Sequence, residues 1–180
     1  MIVRETAEDD LSAITAIYAD SVAQGAGTFE LTPPSVEAMR ARLGSVTALG
    51  LPCLTAEIDG AVAGYAYAGP FRLRAAYRYT VEDSVYVAET FRGRGVGHAL
   101  LKALIARCEA LGLRQMAAVI GDSANAGSVA LHAACGFRPA GGFEGAGWKF
   151  DGWRDVVFMQ RALGPGAESP PDTAGFDCGR

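Results

Sequence analysis

Two spacings of apolar residues alternate along this chain. Residues 2–5 read as a short strand, and then Leu11, Ile14, Ile17, Tyr18 and Val22 fall three and four apart, which places them on one face of a helix. Thr6, with Asp9 three positions on, looks like a capping box at its start. Residues 28–34 form a loop, after which Ser35 can cap a second helix with Val36, Met39, Leu43 and Val46 along one side. The spacing then changes to strand type. Residues 54–58 and 61–67 flank Asp59-Gly60, the signature of a tight hairpin. Residues 70–80 form a polar-aromatic loop, and a further strand runs to about Ala88. Val96, Leu100, Leu101, Leu104, Ile105, Cys108 and Leu111 mark a long helix that Gly112 stops. A buried strand at 114–120, a short helix at 124–135 ended by Gly136, and two strands around a glycine-rich turn within 137–163 complete the pattern.

The order is β-α-α-β-β-β-α-β-α-β-β, an antiparallel stretch followed by a β-α-β crossover. It predicts an α/β fold of the α+β type with a mixed sheet. A doubly wound nucleotide fold is excluded, because that needs alternation from the first strand. Residues 1–163 read as a single domain, and 164–180, rich in Gly, Pro and Ser, as a disordered tail.

Composition narrows the classes. Half of the 180 residues are hydrophobic, enough for a globular core, and the net charge is −4 with no basic stripe, so nucleic acid is not an expected partner. The first ten residues turn acidic at once and do not read as a signal peptide, and no apolar run reaches the roughly 18 residues that span a membrane. Cys53, Cys108, Cys135 and Cys178 are scattered without metal-ligand spacing. A reduced, cytoplasmic protein without a metal is expected.

The segment richest in chemical information is Arg92-Gly93-Arg94-Gly95-Val96-Gly97-His98, between a strand and a long helix. Glycines there let the backbone approach a ligand closely, and the helix start aims free N–H groups at it, so a phosphate is the natural occupant. A Walker A loop is excluded because no lysine follows Gly97. A dinucleotide fingerprint fits poorly, since the glycines are spaced Gly-x-Gly-x-Gly, although Asp122 could imitate the ribose-binding acid. Arg92, Gly95 and Gly97 do meet the pattern [Gln/Arg]-x-x-Gly-x-[Gly/Ala]. In this the chain resembles the acetyl-coenzyme A pyrophosphate loop of the GCN5-related N-acetyltransferases (GNAT superfamily), whose element order is also the one predicted.

The resemblance extends over about residues 2–163. Residues 66–70, 76–77, 80–87, 118–121, 128–132 and 147–155 (Gly-Trp-Lys-Phe-Asp-Gly-Trp-Arg-Asp) are similar to phosphinothricin N-acetyltransferases and methionine sulfoximine acetyltransferases. The resemblance implies acetyl-CoA as cosubstrate, a small amino-acid-like acceptor and a homodimer. It implies that Arg92, Gly93, Arg94, Gly95, Val96, Gly97 and His98 hold the pyrophosphate. The backbone of Val85, Tyr86 and Val87 would serve the pantetheine arm and acetyl carbonyl, and Asn125 and Ser128 would hydrogen-bond the coenzyme.

An amine must lose a proton before it attacks a thioester, and a carboxylate in the strand can take it. Glu82 is the candidate base and Asp83 the alternative. Strand alternation puts the two on opposite faces, and a solvated strand-end acid is the plainer reading of either. His132 stands where related enzymes carry a tyrosine acid; it is read as an acid for the departing thiolate or as a packed histidine. Arg72 and Arg74, one residue apart, with Tyr77, suit an anionic acceptor group such as a carboxylate. Phe29 would wall the acceptor pocket, and Lys149 and Trp153 would complete it or serve a dimer contact. Two rival functions remain at this point. One is a GNAT enzyme for another amine (a protein N-terminus, polyamine or aminoglycoside), and the other is an acyl-CoA-binding module without turnover.

Overall fold

The computed structural model describes residues 1–25 and 27–177. Seven strands, β1 (Ile2–Glu5), β2 (Cys53–Ile58), β3 (Ala61–Pro70), β4 (Thr80–Val87), β5 (Gln115–Gly121), β6 (Arg138–Lys149) and β7 (Gly152–Ala162), form one sheet in the order β1-β2-β3-β4-β5-β7-β6. Among the described residues four α-helices accompany it: α1 (Leu11–Gln24), α2 (Val36–Thr47), α3 (Val96–Ala110) and α4 (Ala126–Ala134). The β4–β5 pair is parallel, joined across α3, and the other neighbouring pairs are antiparallel.

The helices cover both faces, and each face has its own core. Val96, Leu100, Leu101, Leu104, Ile105 and Cys108 of α3 pack on Leu54, Ala56, Ala66, Ala68, Val81 and Met116 of the sheet. On the other face Leu11, Ile14, Ile17, Tyr18 and Val22 of α1 and Met39 and Leu43 of α2 bury Cys53 and Tyr65. These are the stripes expected from the apolar spacing except at two positions: Leu111 is 44% exposed just past α3, and Val46 joins the α3-side core. Gly64 of β3 brings α3 close to the sheet, since a Cβ there would lie 2.6 Å from the Tyr86 carbonyl oxygen and 3.2 Å from Val96.

Several local expectations hold and a few shift. Ser35 Oγ accepts the Ala38 amide at 3.1 Å, and Asp59 and Gly60, with φ of 52° and 79°, make the tight β2–β3 hairpin. The capping contact before α1 moves on by one residue: Asp10 accepts the Ala7 amide at 2.8 Å, while the Thr6 hydroxyl pairs with that of Thr55. A single turn of 3-10 helix at Glu8–Asp10 absorbs the shift. The last two strands reverse at Phe150 and Asp151, both at positive φ. The glycines at 141–147 lie instead within β6, where the register slips twice against β7.

The segment after Leu163, read from composition as a disordered tail, lies over its described part against the domain. The buried Arg114 guanidinium donates to the carbonyls of Gly166, Ser169 and Pro170 and to the Ser169 hydroxyl. Phe176 is buried in the α3-side core, and the Tyr79 hydroxyl donates to the Thr173 carbonyl at 2.7 Å. Composition alone misses this, because a few anchors suffice to fix a Gly- and Pro-rich chain. Cys178 lies outside the described residues; Cys53, Cys108 and Cys135 are buried free thiols.

Candidate active site

The parallel pair β4–β5 stays in register only from Thr80↔Gln115 to Asp83↔Ala118. Beyond that point β4 continues against β3 as far as Gly64↔Val87, and β5 continues against β7 as far as Gly121↔Val156. The two strands therefore part, and a cavity of about 1180 Å³ opens between them. Residues 84–87 and 118–122 form its two flanks. Main-chain N–H and C=O groups that would have paired across the fork face a ligand space instead.

The α3 N-terminus closes one end of the fork. Gly95 stands before the helix at φ 79°, with no side chain capping the first turn. Ala99 donates to the Gly95 carbonyl at 3.0 Å; the amides before it have no acceptor within a helix. Arg92, Gly93, Gly95, Val96, Gly97 and His98 all line the cavity. A glycine turn, free amides, the positive end of a helix dipole and one arginine together fit a diphosphate. Arg94 is outside the lining, its guanidinium 5.2 Å from the Phe91 ring centre.

Val85, Tyr86 and Val87 lie on the β4 flank, and Asn125 and Ser128 across from them at the start of α4. Asn125 also caps α4, its Oδ1 accepting the Ser128 amide at 3.2 Å. Asp122, the imitation ribose acid, is spent locally: it accepts the Ala124 amide at 3.0 Å and pairs with Arg154 at 3.2 Å.

Glu82 and Asp83 point to opposite faces of β4 and both reach the cavity. Burial pushes the Glu82 carboxyl above the ordinary 4.5, the adjacent Asp83 charge adds to this, and Arg72 offsets part of it. Asp83 sits at the fork itself and accepts from His132 Nε2 at 2.9 Å. His132 Nδ1 lies 2.7 Å from the Ser128 carbonyl, an acceptor only, so that nitrogen carries a proton. Burial alone would lower the His132 pKa, but the Asp83 hydrogen bond and charge and the Ser128 carbonyl outweigh it, and the net shift is upward from 6.5. The second oxygen of Asp83 is buried without a hydrogen-bond partner among the described residues.

Phe29 lines the cavity from the segment after α1. Arg72, Arg74 and Tyr77 do not. Arg72 lies over the Phe71 ring at 4.3 Å and donates to the Phe71 carbonyl, Arg74 is exposed, and the Tyr77 ring packs edge-on to Phe71 at 5.8 Å. The wall on the Glu82 face contains residues that the sequence did not single out as functional: Tyr18, Thr28, Glu30, Arg42 and Tyr67. Tyr86 links them, its ring 5.0 Å from Tyr18 and 5.2 Å from Tyr65. The Arg42 guanidinium lies 5.0 Å from the Tyr18 ring centre and 2.6 Å from Glu30. Tyr18 looked like one more apolar position of a helix stripe. A stripe cannot show that one of its members also lines a ligand space.

Comparison with known proteins agrees with this geometry. Residues 13–137 match the acetyltransferase (GNAT) family. Over 170 residues the chain is 52% identical to phosphinothricin N-acetyltransferase of Alcaligenes faecalis, covering 94% of this chain and 86% of that one. It is 40% identical over 169 residues to the L-methionine sulfoximine/L-methionine sulfone acetyltransferase of Pseudomonas aeruginosa, covering 93% and 98%. Among solved structures, a GNAT superfamily phosphinothricin acetyltransferase from Sinorhizobium meliloti in complex with AcCoA superposes with a TM-score of 0.93 at 46% identity, covering 97% of this chain and 94% of that one.

Proposed function

The chain belongs to the acetyltransferase (GNAT) family and is an N-acetyltransferase; on that footing, we propose that it moves the acetyl group of acetyl-CoA to the α-amino group of a small amino acid of the phosphinothricin or methionine sulfoximine type. The observation that carries this is the fork at Asp83 and Ala118, with a phosphate-suited helix start at one end and Glu82 on its wall.

Acetyl-CoA enters as the acyl donor and leaves as free thiol. Its diphosphate rests on the amides and arginine of the 92–98 turn, with Asn125 and Ser128 as further partners. The pantetheine arm runs in the fork along Val85, Tyr86 and Val87, whose main chain orients the acetyl carbonyl. The amino acid binds on the Glu82 face, walled by Phe29 and the tyrosines. An α-ammonium is protonated near neutral pH, and a carboxylate whose basicity is raised by burial suits its deprotonation. The freed nitrogen then attacks the thioester carbonyl within a ternary complex, the C–S bond breaks, and the thiolate takes a proton. His132 holds a proton close to the fork and is the group assigned to supply it.

Arg72, whose charge is felt at Glu82, is the partner proposed for the acceptor's acidic group, with Arg74 and Tyr77 beside it. A cytoplasmic homodimer belongs to the same reading. Its support is three free thiols among the described residues and the exposed rings of Phe143, Trp148, Phe150 and Trp153 on the β6–β7 hairpin and its turn. The test is acceptor-dependent thiol release from acetyl-CoA across a panel that includes L-phosphinothricin, L-methionine sulfoximine, spermidine and a ribosomal N-terminal peptide. Turnover confined to the first two supports the reading, and turnover confined to the last two overturns its acceptor class.

A further inference from the structure

Lys149, the last residue of β6, is 3% exposed, yet its ammonium points away from the sheet to the segment between α1 and α2. Nζ donates to the Gly25 carbonyl and to the Thr28 carbonyl, each at 2.8 Å. Burial pushes this ammonium below the ordinary lysine value, so the site is costly to a charge, and two main-chain carbonyls offset that cost. Two residues back on the same strand, Gly147 leaves room for Phe29: a Cβ on it would lie 2.5 Å from the ring. The tethered residues Gly25, Thr28 and Phe29 all line the catalytic cavity. The Thr28 hydroxyl in turn meets that of Tyr18 at 2.9 Å.

We propose that Lys149 is a positioning residue for the acceptor amino acid: its ammonium clamps the segment carrying Thr28 and Phe29, and Gly147 seats the Phe29 ring, so that strand β6 fixes the acceptor wall. The bonds of the clamp run from Lys149 to Gly25 and Thr28 and include no residue of the 92–98 turn at the coenzyme end of the cavity. The inference rests on the proposed amino-acid acetyltransferase activity and deepens it, because it assigns the acceptor and donor ends to separately held parts of the chain.

Steady-state kinetics of the full chain with acetyl-CoA and L-methionine sulfoximine tests it. In K149M two charge-assisted hydrogen bonds are lost, and the acceptor KM is expected to rise about tenfold or more. The acetyl-CoA KM should stay within about twofold of wild type. Gly147→Ala, which leaves Lys149 intact and pushes on the ring, should raise the acceptor KM in the same selective way; if K149M does not fold, this variant decides alone. In a Phe29→Ala background, K149M should add little, because both act on one wall. An unchanged acceptor KM in the folded variants, or equal losses for both substrates, overturns the clamp. Absence of turnover in the wild type with any amino acid would instead sink the underlying function.

Discussion

His132 Nε2 lies 2.9 Å from Asp83 Oδ2, with the two side chains only 6% and 2% exposed, at the point where β4 and β5 part. A buried pair of this kind is costly to break by halves, since removing one partner strands the other. Asp83→Ala should destabilise the fold by about 3 kcal/mol, read as a fall in denaturation midpoint at unchanged slope.

The same pair predicts a pH dependence. Folding raises the His132 pKa above 6.5, so the folded chain keeps the proton to higher pH than the unfolded one. The pair's contribution is whole below the unfolded value and is lost as pH rises through the folded one. The difference in Tm between wild type and His132→Gln should therefore be largest in mildly acidic buffer and shrink on the alkaline side. A difference that grows with pH would contradict this sign.

Glu82→Gln removes the proton acceptor while keeping shape. Turnover should fall on the order of a hundredfold or more, with acetyl-CoA affinity by calorimetry within about twofold of wild type. Because burial raises the Glu82 carboxyl above 4.5, the acid limb of kcat in the wild type should lie above that value and vanish in the variant.

Gly95 sits at φ 79°, where a side chain costs about 1–2 kcal/mol. Gly95→Ala should either strain the turn or shift its amides, and a rise of about tenfold in acetyl-CoA KM with a smaller change in acceptor KM is expected.

Removal of residues 164–180 takes Phe176 from the core and deprives the buried Arg114 of its carbonyl partners. A loss of about 3 kcal/mol follows, read as a Tm drop of roughly 6–12 °C. Phe176→Ala alone should account for much of it. No change would return this segment to the status of a free tail.

Much of this architecture is legible in the residues. Helix stripes such as Leu11-Ile14-Ile17-Tyr18, the Asp59-Gly60 hairpin and the stop at Gly112 are local, and local chemistry dictates them. The 92–98 turn is legible for the same reason, since its glycines and its place before α3 are contiguous. What sequence hides is long-range. Asp83 and His132 are 49 positions apart, and only the packing of α4 on the fork makes them partners. Strand alternation separated Glu82 from Asp83, as the structure does, but could not say that both faces open on one cavity. Arg72 packs over the Phe71 ring outside the cavity wall, while Arg42, a helix residue that no local motif marks, stands in it. The clamp by Lys149 is the extreme case, a contact across more than a hundred residues between two backbone carbonyls and one ammonium.

The central claim is that a thioester-bearing coenzyme lies in the β4–β5 fork with its acetyl group exposed to an amine on the Glu82 face. Thiol release by purified protein, followed with acetyl-CoA and L-methionine sulfoximine together and with each omitted, addresses it most directly, with mass analysis of the amino acid. Saturable release that requires both, yielding the N-acetylated amino acid and nearly abolished in Glu82→Gln, is the predicted result. Release that ignores the acceptor, or that survives at full rate without the Glu82 carboxylate, would contradict it.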